Sequence, residues 1–163
     1  MLTDQSRRTF EARMNSFPQF TTEIEGLTVH FAALFSQRED AVPIALLHGW
    51  PGKYILCPSK HTCQPALISY TGNFVEFYPI LQLFSEEYSP ETLPFHLIVP
   101  SLPGYTFSSG PPLDRDFGLV DIARVVDQLM KDLGFGSGYV IQGGDIGSFV
   151  GRVLGVSFDA CKG

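Results

Sequence analysis

Short apolar runs separated by loops rich in glycine and proline form the main pattern along this chain. The continuous runs at 43–47, 95–100 and 139–142 are typical of strands buried on both faces of a sheet. Residues 25–34 instead alternate apolar and polar side chains from Leu27 onward, which predicts a half-buried strand.

Helical periodicity follows these strands. Apolar side chains at three- and four-residue steps predict a helix over 117–133, with Gly134 just past its end. A second helix is predicted from 148 onward, whereas the helical signal at 74–84 is weakened by Pro79. Strands alternating with helices indicate an α/β fold with a mostly parallel sheet covered on both faces, whose sites lie at the carboxyl ends of strands.

Composition narrows the class of protein. The 163 residues suffice for one domain with a core, and the net charge of −6 disfavours nucleic acid or an anionic membrane as partner. No apolar run approaches the roughly 20 residues of a membrane span, and the first residues do not resemble a signal peptide, so a cytoplasmic location is expected. Cys57, Cys63 and His61 do not complete a zinc set; no metal is expected, and the thiols are interpreted as reduced and incidental.

A short glycine-rich segment between a predicted strand and a predicted helix carries the candidate chemistry. Gly143 and Gly147 flank Asp145 in the pattern of a nucleophile elbow, with Asp where Ser is usual. Such a turn is strained and needs small residues on either side. The alternative is an ordinary turn in which Asp145 is a helix N-cap. The spacing of these glycines does not fit a dinucleotide fingerprint.

Three segments together resemble the microsomal-type epoxide hydrolases of the α/β-hydrolase superfamily, especially their soluble fungal members. They are His-Gly-Trp-Pro at 48–51, the Pro-Ser-Leu-Pro-Gly-Tyr segment that begins at 100, and Gln-Gly-Gly-Asp-Ile-Gly-Ser at 142–148. The resemblance extends over about 10–162 and is interrupted at 53–72.

The resemblance implies epoxide hydrolysis to a vicinal diol. Asp145 would attack an epoxide carbon to form an alkyl-enzyme ester, and the backbone N–H groups of Trp50 and Ile146 would form the oxyanion hole when water cleaves that ester. The motifs contain five further residues, with structural roles: His48, Gly49, Pro51, Gly143 and Gly147. No cofactor is implied; the partners are a small-molecule epoxide and water, and full-length members can form homodimers.

The resemblance also implies a partial fold. Residues 25–163 would form the N-terminal half of a three-layer α/β/α core, and 1–24 a remnant of the family's N-terminal extension. The cap with two proton-donating tyrosines, the histidine base and its acid are expected beyond Gly163. The chain alone is therefore expected to be inactive, with an unpaired sheet edge at 139–142.

Two other functions stay open. Haloalkane dehalogenases share the fold and the aspartate, but usually follow it with a tryptophan that binds the halide, where this chain has Ile146. A non-catalytic fragment is the other alternative.

The interruption at 53–72 shows neither helical nor alternating periodicity. Its ends can be encoded with a splice donor, GTAAGT, at 52–54 and an acceptor, CAG, at 71–72, and removing it keeps the reading frame. The hypothesis is a translated intron; a genuine surface insertion is the alternative.

Overall fold

The computed structural model describes residues 4–49 and 72–163. Trp50, Pro51 and the interruption up to residue 71, with Cys57, His61 and Cys63, lie outside the described residues. The helices are α1 (Asp4–Met14), α2 (Tyr78–Glu87), α3 (Leu119–Met130) and α4 (Ile146–Ser157). The strands are β1 (Gln19–Ile24), β2 (Leu27–Leu34), β3 (Val42–Leu47), β4 (Phe95–Pro100) and β5 (Val140–Gly143).

The described sheet is mixed, which corrects the prediction of a mostly parallel one. Its order is β1-β2-β4-β3-β5; β1, β2 and β4 are antiparallel neighbours, whereas β4, β3 and β5 run parallel. The antiparallel part begins as a hairpin, because Glu25 and Gly26 both adopt positive φ (51° and 80°) in its two-residue turn. Strand β1, in the segment interpreted only as a remnant of the extension, was not predicted.

Strand β2 is buried on both faces, so the prediction of a half-buried strand is wrong. Val29, Phe31 and Ala33 belong to one apolar cluster, and Ala32 belongs to the cluster on the opposite face. The reason is that an apolar cluster covers each face of the sheet at this strand.

Two apolar clusters, one on each side of the sheet, give the three-layer α/β/α arrangement. One contains buried residues of α3 and α4. The other contains Phe74 of a 3₁₀ turn (Phe74–Phe77) together with Tyr78 and Leu81 of α2. Pro79 lies in the first turn of α2, where its missing N–H costs no helical hydrogen bond, so it does not weaken the helix.

The glycine predicted to follow the helix α3 has the conformation expected of it. Gly134 has φ 91°, the left-handed conformation expected past a helix end, and it lies within the π turn (Lys131–Phe135) that follows α3.

The outer edge of β5 was predicted to be unpaired, and this prediction is wrong. The Tyr139 N–H donates to the Ala160 carbonyl at 2.9 Å, and the Ile141 N–H to the Gly163 carbonyl at 2.7 Å.

None of the helices in 4–49 and 72–163 is long and apolar enough to cross a membrane.

Candidate active site

Asp145 occupies a strained turn between β5 and α4. Its backbone angles are φ 50° and ψ −122°, a region that residues other than glycine rarely adopt. Strain of this kind costs on the order of 1–3 kcal/mol and persists only where the surrounding structure enforces it. Asp145 is exposed at the carboxyl end of β5, where the sequence places the candidate chemistry.

The neighbours two positions away from Asp145 leave no room for a side chain. A Cβ at Gly143 would lie 2.6 Å from the carbonyl carbon of Gly147. A Cβ at Gly147 would lie 2.3 Å from the carbonyl oxygen of Leu47, at the end of β3. The close contacts expected of a nucleophile elbow are thus present, and the first turn of α4 lies directly against the sheet.

The Asp145 carboxylate does not cap the helix that follows it. No capping hydrogen bond joins its side chain to the first turn of α4. Its backbone carbonyl instead accepts from the Ser148 N–H at 3.0 Å. The interpretation as an ordinary N-cap is therefore wrong.

Gly49, after β3, lies against the same carboxylate. A Cβ at Gly49 would lie 3.0 Å from the Asp145 Cβ and 3.3 Å from its Oδ2. The ends of the neighbouring strands β3 and β5 thus place Gly49 and Asp145 in direct contact. Because Ile146 is the first residue of α4, its N–H has no acceptor within the helix and remains a candidate oxyanion donor. The other candidate donor, Trp50, lies outside the described residues.

His48 is a buried structural residue. Its Nε2 accepts from the Leu102 N–H at 3.0 Å, which joins the end of β3 to the loop after β4. With Nε2 an acceptor, the proton is assigned to Nδ1, which lies 3.1 Å from the Gly49 carbonyl. Burial lowers the pKa of His48, so the ring is neutral at physiological pH. Both of its ring nitrogens are hydrogen-bonded to the backbone.

The other two described histidines also have structural partners. His30 is hydrogen-bonded to the Ser101 hydroxyl and to the side-chain amide oxygen (Oε1) of Gln19, both at 2.9 Å, and burial lowers its pKa to about 4. His96 accepts from the Ser36 N–H at 3.2 Å through Nδ1.

Two residues that were not proposed for the site also lie beside Asp145. Loss of hydration raises the pKa of the Glu76 carboxyl group, and the Asp145 charge adds to this, although the residue as a whole is exposed. The backbone amides of Asn73 and Gly49 act in the opposite direction and lower this pKa. Tyr105 packs its ring on His48 with centroids 4.8 Å apart, and its pKa is raised by burial and by the Asp145 charge. The Asn-x-x-Glu spacing at 73–76, typical of a capping box, was the available signal for Glu76.

Comparisons with known families agree with this geometry. Residues 42–158 match the alpha/beta hydrolase fold, and residues 4–56 match the epoxide hydrolase N terminus. The chain belongs to the epoxide hydrolase family of the alpha/beta hydrolase fold.

The relatives of this chain include fungal and insect proteins. A putative epoxide hydrolase of Dothistroma septosporum is 42% identical over 97% of this chain and 34% of its own length. The structure of Aspergillus niger epoxide hydrolase is 78% identical over 95% of this chain and 35% of its own, with a TM-score of 0.82. The juvenile hormone epoxide hydrolase of Bombyx mori is 28% identical, covers 97% of this chain and 36% of its own, and has a TM-score of 0.70. The chain thus spans about a third of the length of the curated relatives it matches.

No group of three or more His, Cys, Asp or Glu side chains within 4–49 and 72–163 is arranged to hold a metal ion. What the site brings together is an exposed carboxylate on a strained turn, an adjacent glycine, a helix N-terminus and a second carboxylate.

Proposed function

We propose that this chain supplies the nucleophile of an epoxide hydrolase that converts a small-molecule epoxide and water into a vicinal diol. Asp145 attacks an epoxide carbon through one carboxylate oxygen. The bond from that carbon to the epoxide oxygen breaks, and the released alkoxide takes up a proton. The product of this step is a hydroxyalkyl ester of Asp145.

Water then attacks the carbonyl carbon of the ester. The tetrahedral oxyanion is stabilised by backbone N–H groups, those of Ile146 and Trp50 in this proposal. Collapse of that intermediate releases the diol and returns Asp145 with one oxygen from water. The resemblance assigns proton donation to tyrosines, and water activation to a histidine, in segments other than this one. The hydrogen bonds that His30, His48 and His96 make to structural partners agree with that assignment.

The conformation of Asp145 is the observation that carries the proposal. The strained backbone of Asp145, at φ 50°, is not explained by helix capping, because its carboxylate makes no capping bond, whereas a nucleophile must project from a turn of this kind. The haloalkane alternative gains no support, because Ile146 has a hydrocarbon side chain that packs partly against the core and cannot donate to a halide.

Replacing the matched third of the Aspergillus niger enzyme with this chain gives a chimera in which the proposal can be tested. Asp145→Asn should lower turnover of styrene oxide by about 10⁴-fold or more, as loss of a nucleophile does in other hydrolases. Asp159→Asn, which changes an exposed aspartate just after the same helix, is the matched control and should turn over normally. Equal activities of the Asp145→Asn and Asp159→Asn chimeras would contradict the proposal.

The interruption at 53–72 is proposed to be dispensable, as a translated intron would be. Gly49 and Asn73, which lie on either side of the undescribed residues, both lie near the carboxyl group of Glu76. Joining Gly52 directly to Asn73 would leave three residues between Gly49 and Asn73, and such a connection spans up to about 13 Å.

A cytoplasmic location and a homodimer of the full-length protein stay predictions from the sequence.

A further inference from the structure

A chain of side-chain hydrogen bonds connects β1 and β2 to the loop that follows β4. The Gln19 Nε2 donates to the Met14 carbonyl at 2.5 Å, so its Oε1 faces the His30 Nε2 at 2.9 Å. Because Oε1 can only accept, the His30 proton is assigned to Nε2, and Nδ1 accepts from the Ser101 hydroxyl at 2.9 Å. The Ser101 proton is used in that bond, so the Ser101 oxygen accepts from the Thr106 hydroxyl at 2.6 Å. Each donor in this network therefore has one defined acceptor, and the network ends at Thr106.

The backbone of Thr106 adopts an unusual conformation at the end of this network. Its φ is 45°, which is rare for a β-branched residue and persists only where surrounding contacts enforce it. The hydroxyl bond to Ser101 is one such contact. The Ser108 hydroxyl makes two more, because it donates to the Ser101 carbonyl at 2.6 Å and accepts from the His30 N–H at 3.0 Å. Two hydroxyl groups two residues apart thus anchor this loop to the sheet.

The anchored loop carries Tyr105 at the candidate site. The Tyr105 N–H donates to the Leu102 carbonyl at 2.9 Å. Its half-buried ring packs edge-on against His48, with centroids 4.8 Å apart. His48 is followed directly by Gly49, where an added Cβ would lie 3.0 Å from the Asp145 Cβ. The loop thus places an aromatic ring next to the candidate nucleophile, and the effect of the Asp145 charge on the pKa of Tyr105 agrees with this placement.

We propose that Tyr105 forms one wall of the substrate site beside Asp145, and that Thr106 is a positioning residue that acts through Tyr105. This inference rests on the proposed function, because it assigns the ring to binding of the epoxide that Asp145 attacks. A fixed aromatic ring gives an aryl substituent of the epoxide a surface against which to pack. A turn that only connected β4 to α3 could avoid the strain by placing glycine at position 106.

Hydrogen exchange of the Ser108 amide tests the anchor in this chain without any substrate. This amide donates to the Tyr105 carbonyl at 3.0 Å. Its exchange should become about tenfold faster or more in Thr106→Val, because the hydroxyl that holds the turn is gone. Thr106→Ser keeps a hydroxyl and should stay within about threefold of the parent. Thr92→Val is the matched control and should also stay within about threefold, because the Thr92 hydroxyl is bonded within a separate, exposed turn.

Binding of styrene oxide tests the role of Tyr105. The Asp145→Asn form of the chimera with the Aspergillus niger enzyme allows the Kd to be measured without turnover. The Kd should rise about fivefold or more in Tyr105→Ala and also in Thr106→Val, since both remove a correctly placed ring. In the double variant, Thr106→Val should raise the Kd by less than about twofold beyond Tyr105→Ala, because a residue that acts through the ring has no effect once the ring is gone. Thr106→Ser should recover most of the affinity, and circular dichroism should show that each variant is folded.

Three results would overturn the proposal. The first is Ser108 exchange that is the same in Thr106→Val as in the parent, and the second is a Kd that Tyr105→Ala leaves unchanged. The third is a full, additive loss in the double variant, which would mean that Thr106 affects binding by a route other than Tyr105. The proposed function is judged separately: it fails if the parent chimera forms no ester, whereas binding to the Asp145→Asn chimera still decides the role of Tyr105.

Discussion

Among the glycines of the described residues, Gly147 should be the least replaceable. A methyl group at this position would lie 2.3 Å from the Leu47 carbonyl oxygen, 2.8 Å from the Leu47 carbonyl carbon and 2.9 Å from the His48 carbonyl oxygen. These are backbone atoms of the sheet, so they cannot rotate away as the end of a side chain can. Gly147→Ala must push the first turn of α4 off the end of β3, and Asp145 with it.

The expected loss lies at or above the upper end of ordinary overpacking, about 3 kcal/mol. For a chain of this length that corresponds to a fall in Tm of about 6–12 °C. Gly155→Ala is the matched control on the same helix, because nothing lies within 4 Å of an added Cβ there. Replacing an exposed glycine inside a helix should instead stabilise the chain by about 0.5–1 kcal/mol.

Urea unfolding followed by circular dichroism gives both values. The free energy of unfolding should fall for Gly147→Ala and rise slightly for Gly155→Ala. If the two variants unfold at the same urea concentration, the close packing of α4 on β3 at the elbow is not real.

Three further predictions concern buried polar groups and the interruption. The pKa of His30 is about 4 in the folded state and near 6.5 in the unfolded state, so the unfolded chain binds a proton first as pH falls. The free energy of unfolding should therefore drop by about 3 kcal/mol between pH 6.5 and pH 4. His30→Gln should remove that pH dependence in urea titrations. Tyr139→Phe removes the 2.9 Å hydrogen bond to the buried Asp127 carboxylate and should cost about 1–3 kcal/mol, with no loss in the same assay contradicting that contact. Deleting residues 53–72 should leave the unfolding free energy unchanged or raised, and sequencing the gene and its messenger RNA should show a spliced intron there; messenger RNA that retains the segment would refute the intron hypothesis.

The sequence predicted those strands whose own residues form a continuous apolar run. The runs at 43–47 and 95–100 form strands whose last residues are fully buried and whose first two residues are partly buried, because apolar clusters cover both faces of the sheet, and their continuous apolar pattern predicts this. Strand β1 has no continuous apolar run that would predict it. It forms by pairing with β2, and that pairing depends on the turn at Glu25 and Gly26 and on the burial of β2 within the sheet.

The residues of the candidate site are likewise of two kinds: those that the local sequence predicts and those that only the tertiary structure brings together. The strained turn at Asp145 could be predicted, because it requires small neighbours and the adjacent glycines show this in the sequence, whereas the role of Asp145 as nucleophile stays a prediction. Glu76 could not, because its proximity to the Asp145 charge joins positions 69 residues apart, and its spacing from Asn73 is typical of an ordinary helix cap. Tyr105 was likewise visible as part of a motif, whereas its proximity to the Asp145 charge depends on the tertiary structure.

The most direct test of the central claim is the fate of the water oxygen. A single turnover of the chimera in ¹⁸O-labelled water, followed by mass spectrometry of the peptide that contains Asp145, should show one ¹⁸O atom in the Asp145 carboxylate and unlabelled diol. Label in the diol with none in the peptide would mean that water attacks the epoxide directly, and Asp145 would then not be the nucleophile.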